Sequence, residues 1–170
     1  GINYKEGMFY PDTYFFQKGD KYSSILLAAQ EKWKSESEIL WSDRNEILPY
    51  KNLTEAITLA SIIEKEGLEK NKIAGVFINR LRIGMKLQSD PTVIYALGKD
   101  FDGDIKRKDL RIDNPYNTYR YKGLPPGPIS IVSIESLEAA LNPEETDFLY
   151  FVSMKNGFHK FSKNLTEHNE

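Results

Sequence analysis

NLTEAITLASIIEKEG, residues Asn52–Gly67, decides how the rest of the chain is read, because it puts a carboxylate where a helix normally carries an aliphatic side chain. Its ends are marked: Asn52 can cap a helix, Glu55 can reach back to the capping amide, and Gly67 can take the left-handed position beyond the last turn. At about 100° per residue, Ala56, Ile57, Ala60, Ile63 and Glu64 share one stripe with Leu53. Glu55, Lys65 and Glu66 fall on the opposite side, where solvated charges are expected. Leu59 and Ile62 are also on that side, so the helix is expected to be partly enclosed all round.

A carboxyl on a desolvated face loses hydration when charged, so the Glu64 pKa is expected to rise and the group to hold a proton near neutrality. That is the profile of a general acid. A buried Glu paired with Lys or Arg explains the same position, and the stripe alone leaves both readings open.

The composition narrows the choice. With 170 residues, 40% hydrophobic and 12% aromatic, the chain can bury a core and suits one domain. A net charge of −2 gives no electrostatic case for nucleic acid. No apolar run approaches membrane-spanning length, and the first residues of the given sequence carry no signal-peptide pattern. Without Cys there are no disulfides, no thiolate chemistry and few zinc sites, which fits an oxidising compartment without requiring one. The chain opens on Gly1 and an aromatic segment, as expected of a piece of a longer protein.

Along the chain, EGMFYPDTYFF (Glu6–Phe16) predicts extended structure with a turn, its aromatics either in the core or lining a sugar subsite. A packing helix is expected from Asp20 to about Ser37 with Ile25, Leu26, Ala29 and Trp33 near one face. Another is expected from Asn71 to Gly84, with Arg80 on its apolar side, free either to clamp a substrate carboxylate or to pair with a buried acid. Were Glu64 the acid, Arg80 should stand apart from it. Ser89 or Asp90 can cap a short helix begun by Pro91 and ended at Gly98. Beyond capping, Asp90 is a possible second carboxylate of the kind glycosidases use.

Lys99–Asp113 is charged and is expected as a surface connection, whereas NPYNTYRYKGLPPGPIS (Asn114–Ser130) ends in a rigid Gly/Pro run suited to a cleft wall. Its Asn117, Thr118 and Tyr119 offer groups for sugar recognition, or simply make a turn. Ser133–Leu141 predicts a capped helix, and Phe148–Met154 and Phe158–Phe161 flank an Asn156-Gly157 hairpin signal. His159 and His168 lack the company of a ligand or catalytic base, and no phosphate loop, metal-ligand spacing, nucleophile elbow or repeat is present. The fold class is therefore expected to be α+β: helices packed on a small, mostly antiparallel sheet fed by the aromatic segment and a C-terminal β-hairpin.

LASIIEKE, VFINRLRIGMKLQSDPTVIYALG, YNTY followed by GLPPGPI, and FLYFV followed by HNE together resemble the YceG-like family of endolytic murein transglycosylases. The likeness spans the chain from EGMFYPDTYFF almost to its end. It implies a catalytic domain over residues 1–170, detached from the family's inner-membrane anchor and LysM-like subdomain. It also implies peptidoglycan glycan strands as substrate, no cofactor or metal, and a place on the periplasmic face of the inner membrane in the full-length protein. Whether peptidoglycan synthases are partners stays open.

The implied reaction cleaves the β-1,4 bond between N-acetylmuramic acid and N-acetylglucosamine without water, leaving a 1,6-anhydro end. The SIIEKE motif puts the family's catalytic Glu on Glu64, as acid and then base, so Asp90 need not be catalytic. Asn79, Arg80, Gln88, Ser89, Asp90, Tyr95, Asn117, Thr118 and Tyr119 match its polar motifs, with Gln88 and Asn117–Tyr119 favoured as sugar contacts. Two rivals are a peptidoglycan-binding module without activity and a lyase of the aminodeoxychorismate type. The latter needs pyridoxal phosphate, for which the sequence offers neither a phosphate cradle nor an acidic partner for the pyridinium.

Overall fold

The computed structural model describes residues 5–154 and 158–169. Among them are α1 (Tyr22–Ser42), α2 (Leu53–Glu66), α3 (Lys70–Arg82), α4 (Asp90–Leu97), α5 (Ile134–Leu141), β1 (Tyr150–Ser153), β2 (His159–Ser162) and α6 (Leu165–Asn169). Short 3₁₀ turns at Gly98–Asp100 and Asp109–Arg111 punctuate the expected surface connection. The class is α+β with a C-terminal antiparallel hairpin, Phe151 opposite Phe161. The Asn156-Gly157 turn lies outside the described residues.

α2 is the central helix. Asn52 is extended and accepts the Glu55 N–H at 3.0 Å, while the Glu55 carboxylate reaches back to Lys51 N–H at 2.7 Å, one residue before the cap itself. Leu59, Ala60, Ile62 and Ile63 are fully buried, so apolar neighbours cover both sides. α5, α3 and α1 supply that cover through Leu137, Ala140, Leu141, Ile73, Phe77 and Trp33. Each large aliphatic side chain buried this way contributes roughly 1.5–3 kcal/mol. The helix ends at Glu66, and Gly67 takes a positive φ outside the left-handed helical well (φ 156°, ψ −163°), a conformation open mainly to glycine. Its missing side chain leaves room for the His159 ring, whose Cε1 would lie 2.7 Å from an added Cβ.

Two other expectations change. α1 runs to Ser42, past Ser37, and the aromatic segment forms no strand: Tyr10 packs on Trp33 and donates its N–H to Ala29, while Phe15 and Phe16 are exposed. The described sheet is thus the hairpin alone, seated on α3 by an edge-to-face contact of Phe151 with Phe77.

Ser61, fully buried on α2, ties down the chain that follows the Gly/Pro run. Its Oγ accepts the Ile129 N–H at 2.9 Å and its carbonyl accepts the Ser130 hydroxyl at 3.1 Å. Ser61→Ala is expected to lower stability by about 1–3 kcal/mol by stranding a buried N–H. Denaturant melts of the two proteins check this, and equal midpoints would show that the loop finds another acceptor.

Candidate active site

Glu64 and Glu66 leave the end of α2 in opposite directions and meet opposite environments. Glu64 points at the start of α5. Its Oε2 accepts the Ser133 hydroxyl at 2.5 Å, the Ser133 N–H at 3.2 Å, the Lys70 ammonium at 3.1 Å and the Ser136 hydroxyl. Ser133 caps α5, so this carboxylate also sits at the positive end of a helix. Burial acts to raise the Glu64 pKa, but donation from Ser133, Ser136 and Lys70 outweighs it and brings the value down to about 2. The expected rise is corrected here: the apolar stripe is real, but at its end Glu64 meets donors rather than hydrocarbon. A carboxylate held ionised this firmly has no proton to give near neutrality.

Glu66, expected to be solvated, turns instead into a cleft of about 390 Å³ walled by Arg80, Gln88, Asp90, Tyr119, Phe151–Ser153 and His159. Burial pushes its carboxyl up to about 7; the Ser89 hydroxyl, donating to Oε1 at 2.5 Å, opposes this, the negative charge of Asp90 adds to it and Arg80 subtracts. Glu66 is therefore shared between protonated and ionised forms near neutrality, as a group that must both give and take a proton requires. Two roomier hollows, one between α3 and residues 142–147 and one beside residues 122–126, contain neither Glu64 nor Glu66.

The other expected residues divide by where their polar atoms go. Ser89 is the N-cap residue of α4 but makes no side-chain cap, since its hydroxyl is committed to Glu66. Asp90 begins α4, and its Oδ1 accepts the Tyr119 hydroxyl at 2.5 Å. Burial, that bond and the charges of Asp90 and Glu66 all raise the Tyr119 pKa, so its proton stays. Gln88 holds a left-handed backbone (φ 50°), fixed by its N–H to the Thr118 carbonyl at 3.2 Å; such strain in a non-glycine residue gathers at functional sites.

Arg80, 6% exposed, makes no ion pair among the described residues. Its Nε donates to the Leu149 carbonyl at 2.7 Å and Nη1 to the Leu87 carbonyl at 2.5 Å, clamping both sides of the cleft. Burial lowers its pKa, against the pull of Tyr150, Tyr119 and Glu66.

Four of the residues that match the family's polar motifs engage protein partners in this structure. Asn117 is fully buried: its amide donates to the Leu110 and Ile112 carbonyls and its oxygen accepts the Tyr119 N–H at 3.0 Å. Thr118 is buried between Ser89 N–H and the Thr92 hydroxyl. Asn79 spends its amide on the Thr146 and Phe148 carbonyls, steering the chain into β1, and Tyr95 packs its ring on Tyr116. Neither lines the cleft.

The sequence profile of the YceG-like family matches residues 2–170. The chain belongs to the YceG-like family. This YceG-like chain is similar to the endolytic murein transglycosylase of Bacillus subtilis, 44% identical over 97% of this chain and 46% of that protein. It is 37% identical to the endolytic murein transglycosylase of Streptococcus pneumoniae R6, over 90% of this chain and 29% of that one. A YceG-like protein of Listeria monocytogenes has a similar crystal structure, with TM-score 0.80 and 41% identity over 96% of this chain and 54% of that one. The YceG-like chain thus spans about half or less of the length of these relatives. No helix among its described residues is long and apolar enough to cross a membrane.

Two cleft residues of the YceG-like chain escaped the sequence reading. Glu66 shares its face with Leu59 and Ile62 at helical spacing, a signal present but assigned to solvent. His159 had no sequence neighbour to mark it. Its partner is Glu69, which accepts both its backbone N–H at 2.7 Å and its ring Nδ1 contact at 3.2 Å from 90 positions away.

Proposed function

We propose that this chain is the catalytic part of an endolytic murein transglycosylase and that Glu66, rather than Glu64, is its acid and base. The observation that carries the assignment is a carboxyl pushed up to about 7 in a polar cleft, two residues from one held down to about 2. Glu66 in its protonated form gives its proton to the glycosidic oxygen as the bond to C1 of the muramic acid breaks. The leaving N-acetylglucosamine departs as the free 4-hydroxyl. Glu66, now ionised, takes the proton of the muramic acid 6-hydroxyl as that oxygen bonds to C1. Protons balance within one carboxyl, no water is consumed, and the new end is 1,6-anhydro.

The cleft's contribution is mostly orientation, since attacking oxygen and C1 belong to one sugar. Gln88 and Tyr119 remain as sugar contacts, with Asn117 and Thr118 as the buried support that fixes them. The relatives' names support glycan strands of peptidoglycan as substrate. The parent protein would then work in the cell envelope, on the outer face of the cytoplasmic membrane, tethered by a segment outside this chain.

Digestion of uncrosslinked glycan strands followed by mass spectrometry tests the reaction. Internal cuts bearing anhydro ends, lighter by one water than hydrolysis products, are expected. Reducing ends would make the protein a hydrolase and overturn the proposal.

A further inference from the structure

Asp90 has a chemical peculiarity that capping does not explain. It lines the cleft beside Glu66, yet among the described residues no Lys or Arg forms an ion pair with it. Its Oδ1 accepts the Tyr119 hydroxyl at 2.5 Å, and among the described residues no hydrogen bond reaches Oδ2. Ser89, not Asp90, occupies the capping position of α4, while Asp90 stands in its first turn, where the partial positive charge of the helix end favours an anion. Asp90 is exposed on the cleft wall, so leaving it without an ion pair costs the fold little and keeps its charge available to whatever enters the cleft. An anion on the cleft wall, with one oxygen held by the Tyr119 hydroxyl, is arranged to meet positive charge that arrives with, or forms on, the bound molecule.

Resting on the proposed transglycosylase reading, we propose that Asp90, held by the Tyr119 hydroxyl, is a second catalytic residue whose carboxylate stabilises the positive charge that develops across C1 and the ring oxygen of the muramic acid. No bond forms to Asp90 and it exchanges no proton. Glu66 gives its proton to the leaving oxygen and recovers one from the 6-hydroxyl. The charge it offers is greatest in value when the sugar is most cationic, so it favours the transition state over the bound substrate. Its negative charge also helps keep the Glu66 proton in place before reaction. The other groups facing Glu66 are Ser89 of the α4 cap, Arg80 of α3 and His159 of β2; Tyr119 is the one that holds Asp90. Arg80 works against the stabilisation, but its Nε and Nη1 are bound to backbone carbonyls on the cleft wall.

The test compares wild type, Asp90→Asn and Tyr119→Phe on uncrosslinked glycan strands, with melting temperatures measured alongside. Asp90→Asn is expected to lower kcat roughly a hundredfold with KM changed less than about threefold, the scale at which one charge-stabilising group counts. Residual products should still carry anhydro ends. Tyr119→Phe, which frees Asp90 without discharging it, should lose about tenfold. With the like charge gone, the basic limb of the kcat/KM profile of Asp90→Asn should move to lower pH, and the Glu66 carboxyl signal in a carbon NMR titration should move with it. A purely structural Asp90 would lower the melting temperature and leave kcat of the folded variant within threefold of wild type. Asp90→Asn with kcat within threefold of wild type, or with an unmoved Glu66 titration, overturns the inference. If Glu66→Gln is inactive in the same assay while Asp90→Asn is normal, only the role of Asp90 fails. Activity surviving in Glu66→Gln instead sinks the underlying reading, and this inference with it.

Discussion

Glu66→Gln is expected to lower kcat by about a thousandfold or more while the protein stays folded, because Gln can still accept the Ser89 hydroxyl but has no proton to trade. Stability should move the other way. The folded pKa is raised, from 4.5 to about 7, so the wild type is penalised as pH rises through this window: the unfolded chain ionises first and is favoured. The penalty is complete above about 7 and is at most about 3 kcal/mol. Gln at 66 removes it, so denaturant midpoints at pH 8 should be equal to or above wild type, and the fall between pH 4.5 and 7 should flatten. An inactive but no less stable variant is the signature of a residue kept for chemistry. A variant that loses stability at pH 8 along with activity would point to a packing role.

The opposite pattern is expected two residues earlier. Glu64→Gln should reduce stability by about 2 kcal/mol at neutral pH, a few degrees of melting temperature, since it discharges the group that Ser133, Ser136 and Lys70 all serve. Its side chain is 28% exposed, so solvent limits the loss. Here the folded pKa is depressed, from 4.5 to about 2; the stabilisation is present above 4.5 and disappears as pH falls toward 2. Wild type should therefore lose its advantage over the variant in acid, and denaturation at pH 7 and pH 3 reads this directly. The folded variant should keep kcat within about threefold. Loss of activity in Glu64→Gln with unchanged stability, set against an active Glu66→Gln, would return the acid role to Glu64.

The sequence by itself determined a good deal, because many of its signals are local. Asn52 and Glu55 begin α2, and Ser133 begins α5, through bonds spanning three or four residues. The hairpin strands follow from alternating apolar residues. The motif order carried the family, and helical spacing correctly sent Glu64 and Glu66 to opposite sides of one helix. Which of the two sides was dry and which was wet with donors is not a local property. Glu64 meets Ser133 across 69 positions, and Glu66 meets Ser89 across 23 and shares its cleft with His159 from the hairpin. Asn117 and Thr118 carry sugar-binding side-chain types, yet tertiary packing spends them on Leu110, Ile112 and Thr92. A carboxyl's proton affinity is set by the solvent, donors and charges around it, and those neighbours come from distant parts of the chain. The sequence therefore determined the helix and its two candidate acids, while the choice between them belonged to the folded protein, where α5 surrounds one with donors and the cleft wall desolvates the other.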